Sequence, residues 1–250
     1  HVEAGLRTYD KYSPFPEEMN RKLVTSIADL YFCPTVNNKQ NLLKEGIGEE
    51  GIFITGNTVI DALDTTVRSD YTHPEIEWAR GSRLILLTAH RRENLGEPMR
   101  EMFRAIRRIV DETPDIKVIY PMHKNPAVRE MARACFGGQE RIHMIEPLDV
   151  LDFHNVMAHA YLIMTDSGGI QEEAPALGKP VLVMRDTTER PEGVVAGTLK
   201  LVGTDENTIY AAVRELLTDP AAYHEMEHAV NPYGDGHASR YIADILAREL

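Results

Sequence analysis

The sequence predicts an α/β fold with parallel β-sheets, and the alternation of two kinds of segment supports this class. Short apolar runs that end at glycine or polar residues alternate with longer segments whose apolar residues recur at helical spacing. The alternation is clearest from Leu84 onward, where the runs LILLTA, VIY and IHMIE are separated by helical segments at 98–110 and around Val128. Because alternating strand and helix units align their strands in parallel and cover both faces of the sheet, this order indicates an α/β domain.

The later part of the chain continues the same alternation. Further strands are predicted at 161–165, at 181–184 and around Leu199, and further helices at 151–159, 206–217, 222–229 and 238–250. A cluster of helix-breaking residues at 231–236 separates the final amphipathic helix from the preceding one. We therefore expect one parallel sheet in the part of the chain that follows residue 83.

The first 67 residues show the alternation on a smaller scale. Residues 1–6 read as the end of a strand that leaves Glu3 at its carboxyl end. Pro16 can begin a helix, and one face of this helix carries Met19, Leu23, Ile27 and Leu30. Strands are predicted at 30–33 and 51–55, and helices up to residue 43 and over 58–67. Because no strand precedes the first segment, we expect that an N-terminal portion is missing from this chain.

The composition limits the classes of partner. The chain has 27 Lys and Arg residues against 39 Asp and Glu residues, and its net charge is −12. An acidic protein without a broad basic stripe is not expected to bind nucleic acid, so a phosphorylated ligand must be held locally by a few arginines and backbone amides. Cys33 and Cys135 give neither a disulfide framework nor metal-ligand spacing. Without a long apolar run or a charged-then-apolar leader, we expect a cytoplasmic protein with no membrane segment.

The segment 161–191 combines the features of an anion-binding site. A short apolar strand ends at Asp166, and Ser167, Gly168 and Gly169 then lead into a short helix. Such a turn presents unpaired backbone N–H groups at the positive end of a helix dipole, and its glycines allow a phosphate to come close. The alternative is that the turn serves only as a helix N-cap.

Charged residues around this turn favour the first interpretation. Arg185 and Arg190 follow the strand at 181–184, on the sheet edge where open α/β folds bind ligands, and Arg190 could clamp a diphosphate through two oxygens. Glu172 and Glu173 lie in the first turn of the helix, where a carboxylate is also favoured by the helix dipole. One of them can therefore be structural, and we assign to Glu173 the role of accepting hydrogen bonds from ribose hydroxyls.

Six segments, in order along essentially the whole chain, resemble one protein family. They are HVEAGLRT (1–8), SPFPEEMNR (13–21), ITGNTVIDAL (54–63), AHRREN (89–94), SGGIQEEAPALGKPVLVMRDTTERPE (167–192) and NPYGDG (231–236). Together they resemble the UDP-N-acetylglucosamine 2-epimerases of the non-hydrolysing bacterial type. A resemblance of this length is far more specific than any single glycine motif.

The resemblance implies an architecture of two Rossmann-like domains, similar to glycosyltransferase-B enzymes, with a ligand cleft between the domains. It divides the chain into the remainder of an N-terminal domain (1–57), a connection (58–82), a C-terminal UDP-binding domain (83–236) and a helix that crosses back to the first domain (237–250). The polar stretch 68–83, which contains Pro74 and Gly81, is expected to be loosely ordered, with Trp78 packed there.

The resemblance also implies a route for the chemistry. The C2 hydrogen of an N-acetylhexosamine is not next to a carbonyl, so direct removal of this proton would be very slow. The family's route is elimination of UDP to a 2-acetamidoglucal, followed by re-addition of UDP with the C2 proton on the opposite face. Glu3 and Glu17 match acidic positions of the family's active site and are the candidate acid and base groups. The family uses a further aspartate, which would lie before His1.

The remaining site residues are assigned in the same way. His90 matches the active-site histidine, and with Arg190 and the turn at 167–169 it would stabilise the charge that grows on the diphosphate. Phe153 would flank the uracil. Some bacterial relatives bind a second UDP-N-acetylglucosamine as an activator, through positions like Arg91, His123 and Glu17. Five further histidines carry no functional argument: His154, His159, His224, His228 and His237.

The expected partners are UDP-N-acetylglucosamine, UDP-N-acetylmannosamine and a second copy of the chain in a homodimer, and the product would feed surface polysaccharide synthesis. No metal, nicotinamide or other cofactor is expected, because the sequence has no aspartate-rich divalent site and elimination needs no oxidation. Three alternative functions stay open. They are a hydrolysing epimerase that releases UDP and N-acetylmannosamine, a UDP-sugar glycosyltransferase of the same fold, and a non-catalytic UDP-binding protein.

Overall fold

The computed structural model describes residues 1–12 and 15–249. Ser13 and Pro14 of the 13–21 segment, and Leu250 at the end of the predicted last helix, lie outside the described residues. The chain divides into two compact units. Unit 1 contains His1–Thr65, Thr188–Gly193 and Asn231–Leu250, and unit 2 contains Thr66–Thr187 and Val194–Val230.

Strands and helices alternate through both units. The strands are β1 (Tyr31–Cys33), β2 (Ile52–Ile54), β3 (Arg83–Thr88), β4 (Ile116–Pro121), β5 (Ile142–Ile145), β6 (Leu162–Thr165), β7 (Val181–Val183) and β8 (Leu199–Leu201). The helices are α1 (Glu17–Ile27), α2 (Val36–Lys44), α3 (Thr58–Thr66), α4 (Pro74–Ala79), α5 (Glu97–Glu112), α6 (Pro126–Phe136), α7 (Val150–His159), α8 (Ile170–Ala176), α9 (Pro191–Ala196), α10 (Glu206–Thr218), α11 (Pro220–Glu227) and α12 (Ala238–Glu249). Short 3₁₀ turns lie at Glu49–Gly51 and Arg92–Asn94.

Unit 2 is built around a six-stranded sheet with the order β5-β4-β3-β6-β7-β8, in which every neighbouring pair is parallel. Its central strands are buried on both faces, so they read in the sequence as continuous apolar runs. Helix α5 buries Met99, Met102, Phe103 and Ile106 in the same core. The α/β class and the parallel sheet predicted from Leu84 onward are confirmed.

Unit 1 contains a parallel pair of strands, β1 and β2, in which Tyr31 lies opposite Ile52. Val2 forms an isolated parallel bridge to Phe32, so the first residues run beside β1. Thr35 caps α2 through a reciprocal capping box with Asn38. Helix α12 also belongs to this unit, where its Ile242 and Ile245 pack against Phe32.

The face of α1 that the sequence predicts to be buried is exposed. Met19, Leu23 and Ile27 are 39%, 61% and 81% exposed. The buried side chains of this helix are Glu18 and Thr25 instead. The Thr25 hydroxyl accepts a hydrogen bond of 2.9 Å from Arg7, whose guanidinium also binds the carboxylate of Glu45. This polar network, and not an apolar stripe, sets the inward face of the helix.

The prediction of a loosely ordered stretch at 68–83 is wrong, because this stretch contains α4. His73 caps the helix by accepting a hydrogen bond from the amide of Glu75, and Pro74 occupies its first turn. The indole of Trp78 stacks on the imidazole of His143, with ring centroids 3.5 Å apart. The expected packing of Trp78 is therefore observed within an ordered helix.

The limits of the two units differ from the predicted domain boundaries. Unit 1 includes residues 188–193 and 231–236, which are predicted to belong to the second domain. It also includes most of α3, which was predicted to belong to the connection. Among the described helices, none is both long and apolar enough to span a bilayer.

Candidate functional site

The carboxyl ends of β3 and β6 meet at one edge of the sheet in unit 2. The two strands pair in parallel with Thr88 opposite Thr165, and the two hydroxyl oxygens are 2.6 Å apart. Asp166 follows β6 and is fully buried. Its Oδ2 accepts hydrogen bonds from the backbone amides of His90 and Arg91, both at 2.8 Å. Asp166 therefore fixes the backbone that carries two of the predicted site residues.

His90, Arg91 and His123 lie together at this edge. His123 follows β4, the strand beside β3, and its ring centroid is 5.7 Å from that of His90. The side chain of His90 is 38% exposed, and His123 is exposed. The Nε of Arg91 donates to the backbone carbonyl of Asp166 at 3.1 Å. The structure thus brings together three residues predicted to contact substrate or activator, and those contacts themselves stay a prediction.

The glycine turn lies directly after Asp166. The amide of Ser167 donates to the Thr165 hydroxyl at 2.9 Å, so the amides of Gly168 and Gly169 are the turn's remaining candidates for binding a phosphate. The Gln171 side chain donates to the Ser167 carbonyl at 3.0 Å and ties the turn to α8. Helix α8 is only seven residues long, so backbone amides would contribute more to anion binding than its dipole.

Glu172 and Glu173 differ in burial, although both lie in the first turn of α8. Glu172 is fully buried, and Glu173 is half-buried with its Oε2 3.8 Å from Nε2 of His154. His154 is buried on α7 next to the half-buried Phe153, and its Nδ1 lies 2.7 Å from the Thr66 hydroxyl. Burial lowers the pKa of His154, so this side chain is neutral at pH 7 and above.

Glu3 lies in unit 1 in an unusual backbone conformation. Its φ is +57°, in the left-handed region that residues other than glycine rarely adopt. Its side chain is exposed, and the carboxylate accepts a hydrogen bond of 2.7 Å from the amide nitrogen of Asn57. The backbone amide of Asn57 donates in turn to the carbonyl of Tyr233 at 2.7 Å. Two segments of the family resemblance, 54–63 and 231–236, therefore hold the candidate carboxylate within this unit.

The neighbouring residues Glu17 and Glu18 have different environments. Glu17 is exposed at the first position of α1. Glu18 is fully buried, and its two carboxylate oxygens accept hydrogen bonds from the backbone amides of Thr8 and Tyr9, at 3.2 and 3.0 Å. The Glu18 carboxylate therefore binds the backbone at residues 8 and 9, whereas the Glu17 side chain is accessible to solvent or to a ligand.

Arg190 is buried in unit 1, in the segment 188–193. Its guanidinium donates to the adjacent Glu189 carboxylate at 2.8 Å, and its backbone carbonyl accepts from the Tyr233 hydroxyl at 3.1 Å. Arg190 is predicted on the sheet edge with the glycine turn, whereas it belongs to the first unit in the structure. Arg185 is 6% exposed and lies in unit 2.

Comparison with known proteins decides the family. The sequence model of the family described as UDP-N-acetylglucosamine 2-epimerase matches residues 1–247. The chain belongs to the UDP-N-acetylglucosamine 2-epimerase family. The predicted resemblance is therefore confirmed, and the six segments that carry it lie within the matched residues.

Members of this family are similar to the chain over nearly all of its length. A UDP-N-acetylglucosamine 2-epimerase of Bacillus subtilis is 63% identical over 246 residues, which cover 98% of this chain and 65% of that protein. A Staphylococcus aureus protein in a structure with UDP is 56% identical, with a TM-score of 0.96, over 98% of this chain and 67% of that one. A Neisseria meningitidis UDP-GlcNAc 2-epimerase bound to UDP-GlcNAc is 44% identical, with a TM-score of 0.93, over 100% of this chain and 69% of that one.

The chain thus spans about two thirds of the length of the 2-epimerases that it matches. These structures confirm the predicted fold class, α/β with parallel sheets in the architecture of the family.

One group of side chains in the described part has donors spaced for a metal ion. It consists of His224, Glu227 and His228 on and after α11, with ligand atoms within 4.8 Å of one another. None of these residues belongs to the segments that carry the family resemblance.

Four residues that contact the candidate residues within their own unit are not assigned from the sequence. Asp166 and His154 contact the predicted residues His90 and Glu173, and Asn57 and Tyr233 contact Glu3 and Arg190. The role of Asp166 can be predicted from the sequence, because a carboxylate at the end of a buried strand must accept hydrogen bonds from nearby donors. Asn57 and Tyr233 lie inside quoted segments, but their partners are distant in sequence.

Proposed function

We propose that this protein interconverts UDP-N-acetylglucosamine and UDP-N-acetylmannosamine. The observation that carries the proposal is the sheet edge of unit 2, where His90, Asp166 and the glycine turn lie together in a chain of the 2-epimerase family. Relatives with the same fold bind UDP and UDP-GlcNAc. A nucleotide sugar also fits this acidic chain, because a few arginines and backbone amides can bind its diphosphate without a broad basic surface.

The proposed reaction is elimination and re-addition of UDP. Breaking the C1–O bond leaves the electron pair on the diphosphate, while removal of the C2 proton forms the double bond of a 2-acetamidoglucal. UDP then adds back to C1 as a proton is delivered to the other face of C2. The rate gain comes from groups that bind the diphosphate more tightly as its charge grows. We assign this role to Arg190, to the turn at 167–169 and to His90.

Glu3 and Glu17 are the proposed acid and base at C2, since a proton must leave one face and return to the other. Both side chains are exposed, whereas the adjacent Glu18 is occupied by two backbone amides. The hydrogen bond from Asn57 to Oε1 orients the Glu3 carboxylate, and we assign proton transfer to its other oxygen. Glu173 and Phe153 are proposed to bind the ribose and the uracil.

The second nucleotide-sugar site is proposed on the same edge. His123 and Arg91 lie next to His90, so an activator held there would be close to the diphosphate groups. Binding of UDP-GlcNAc with two distinct affinities would support this site. A single affinity, with turnover that follows a simple hyperbola, would remove it.

Product analysis tests the proposed function. The protein is incubated with UDP-GlcNAc, or separately with UDP-ManNAc, and the products are followed by phosphorus and proton NMR. We expect both reactions to reach the same mixture of the two nucleotide sugars. Free N-acetylmannosamine with stoichiometric UDP would show the hydrolysing reaction instead. A requirement for an acceptor would indicate a glycosyltransferase.

A further inference from the structure

The two carboxylate oxygens of Asp166 differ in their hydrogen bonds within the described residues: one accepts three, and the other accepts none. Its Oδ2 receives the amides of His90 and Arg91 at 2.8 Å and the side chain of Asn94 at 3.3 Å. Its Oδ1 is buried, and no donor among the described residues reaches it. A buried carboxylate oxygen without a donor is unfavourable, so an unfilled position of this kind requires an explanation.

The imidazole of His90 is the group placed to fill this position. Its Nε2 is 3.9 Å from Oδ1, which is too long for a hydrogen bond but close enough to become one after a small rotation of the ring. The ring is partly exposed, while Asp166 is held by its three donors. Since the backbone of His90 is already bound by the same carboxylate, little ordering is needed to make the contact.

We propose that Asp166 is a positioning residue that accepts a hydrogen bond from Nε2–H of His90 and thereby fixes the imidazole tautomer. A proton on Nε2 leaves Nδ1 as the nitrogen that can be protonated, and the imidazolium then donates from Nδ1 to the departing diphosphate, which is the role that the proposed function gives to His90. When Nδ1 takes a proton, the adjacent carboxylate stabilises the imidazolium. This inference rests on the proposed function, in which His90 faces the departing diphosphate.

Replacement of Asp166 by asparagine puts a hydrogen-bond donor where the acceptor Oδ1 faces His90. Two backbone amides converge on the Oδ2 position, so the amide oxygen of the new side chain must occupy it. The amide NH₂ group then takes the place of Oδ1 and becomes a donor toward Nε2. Nε2 must accept, and the proton moves to Nδ1. Asp166→Asn therefore selects the wrong tautomer with almost no change in shape.

The test is the tautomer of His90, measured by two-bond ¹H–¹⁵N NMR on protein with ¹⁵N-labelled histidine, at a pH where the ring is neutral. His90 is identified among the 10 histidines by the signals that disappear in His90→Gln. We expect Nε2–H in the wild type and Nδ1–H in Asp166→Asn. Asn94→Ala is the matched control, because it removes a donor to Oδ2 and leaves Oδ1 unchanged, so its His90 should keep Nε2–H.

Kinetics provide the second readout. In Asp166→Asn we expect kcat to fall by about 100-fold or more, as for loss of a correctly oriented donor to the charge that develops on the diphosphate, with UDP affinity within about threefold of the wild type. The same tautomer in wild type and Asp166→Asn would overturn the proposal, and so would Nδ1–H in the wild type, which decides the question even if the variant does not fold. The NMR result does not depend on turnover, so failure of the proposed function would be seen separately as a wild type without epimerase activity.

Discussion

The side-chain amide of Asn57 donates a hydrogen bond of 2.7 Å to the carboxylate of Glu3, a residue whose backbone lies in the left-handed region. Asn57 is 2% exposed, and its own backbone amide is bound to the carbonyl of Tyr233. Residues with a strained backbone cluster at functional sites, and Glu3 combines such a backbone with an exposed carboxylate bound by a buried donor. Three segments distant in sequence therefore converge on one candidate acid or base.

Glu3→Gln separates this chemistry from the fold. The amide oxygen of glutamine can still accept from Asn57, so we expect the urea midpoint of unfolding to stay unchanged. Exchange of the C2 proton should fall by about 100-fold or more, which is the contribution typical of a general acid or base. The measurement is proton NMR of the nucleotide sugar in heavy water. Normal exchange in a folded Glu3→Gln protein would exclude Glu3 from the reaction.

Glu17→Gln and Glu18→Gln form a matched pair at adjacent positions. We expect Glu17→Gln to spare UDP affinity and stability but to depress C2 exchange, since Glu17 is exposed. Glu18→Gln should lower the free energy of unfolding by about 1–3 kcal/mol, because its NH₂ group would face a backbone amide that needs an acceptor. Calorimetry with UDP, urea unfolding and the exchange assay distinguish the two. Equal effects of both substitutions on exchange would contradict the assignment of Glu17.

Arg190→Ala should weaken UDP binding by at least about tenfold, or about 1.4 kcal/mol, and slow turnover as well. Removal of the guanidinium also takes away the 2.8 Å partner of Glu189, and breaking a buried ion pair typically destabilises a protein by about 3–5 kcal/mol. Glu189→Gln is the control, because it removes the carboxylate charge and keeps the guanidinium. UDP affinity should hold in this variant. Unchanged affinity in Arg190→Ala would remove Arg190 from the site.

His154 should make stability depend on pH. Burial lowers its pKa below the ordinary value of 6.5, so the unfolded chain binds more protons than the folded chain below pH 6.5. Its contribution to stability is complete above that pH and is lost as the pH falls through the folded pKa. We expect His154→Gln to reduce the decline of the unfolding free energy between pH 7 and pH 5, measured by urea titration. An identical decline in both proteins would show that His154 does not titrate in this way.

The sheet of unit 2 could be predicted because its strands are buried on both faces and appear as uninterrupted apolar runs after Leu84. The inward face of α1 could not, since it depends on the contact of Thr25 with Arg7, and Arg7 lies in a different segment. Helix α4 could have been found, because Pro74 after a polar residue is a usual helix start.

The candidate site residues also divide into those that can be predicted from the sequence and those that cannot. The turn at 167–169 and His90 follow buried strands, and such positions in parallel sheets can be recognised from sequence alone. The difference between Glu17 and Glu18 cannot be recognised, because two adjacent glutamates are equivalent until the amides of Thr8 and Tyr9 are placed. The grouping of Arg190 with unit 1 also depends on a distant residue, Tyr233.

Incorporation of solvent deuterium at C2 tests the central claim most directly. UDP-N-acetylglucosamine is incubated with the protein in heavy water, and its C2 proton signal is followed by NMR. The elimination route predicts that this signal disappears from both nucleotide sugars as the C2 epimer forms, because every turnover exchanges the proton. Formation of the epimer with its original C2 proton retained would contradict the account, as would a substrate that stays unchanged.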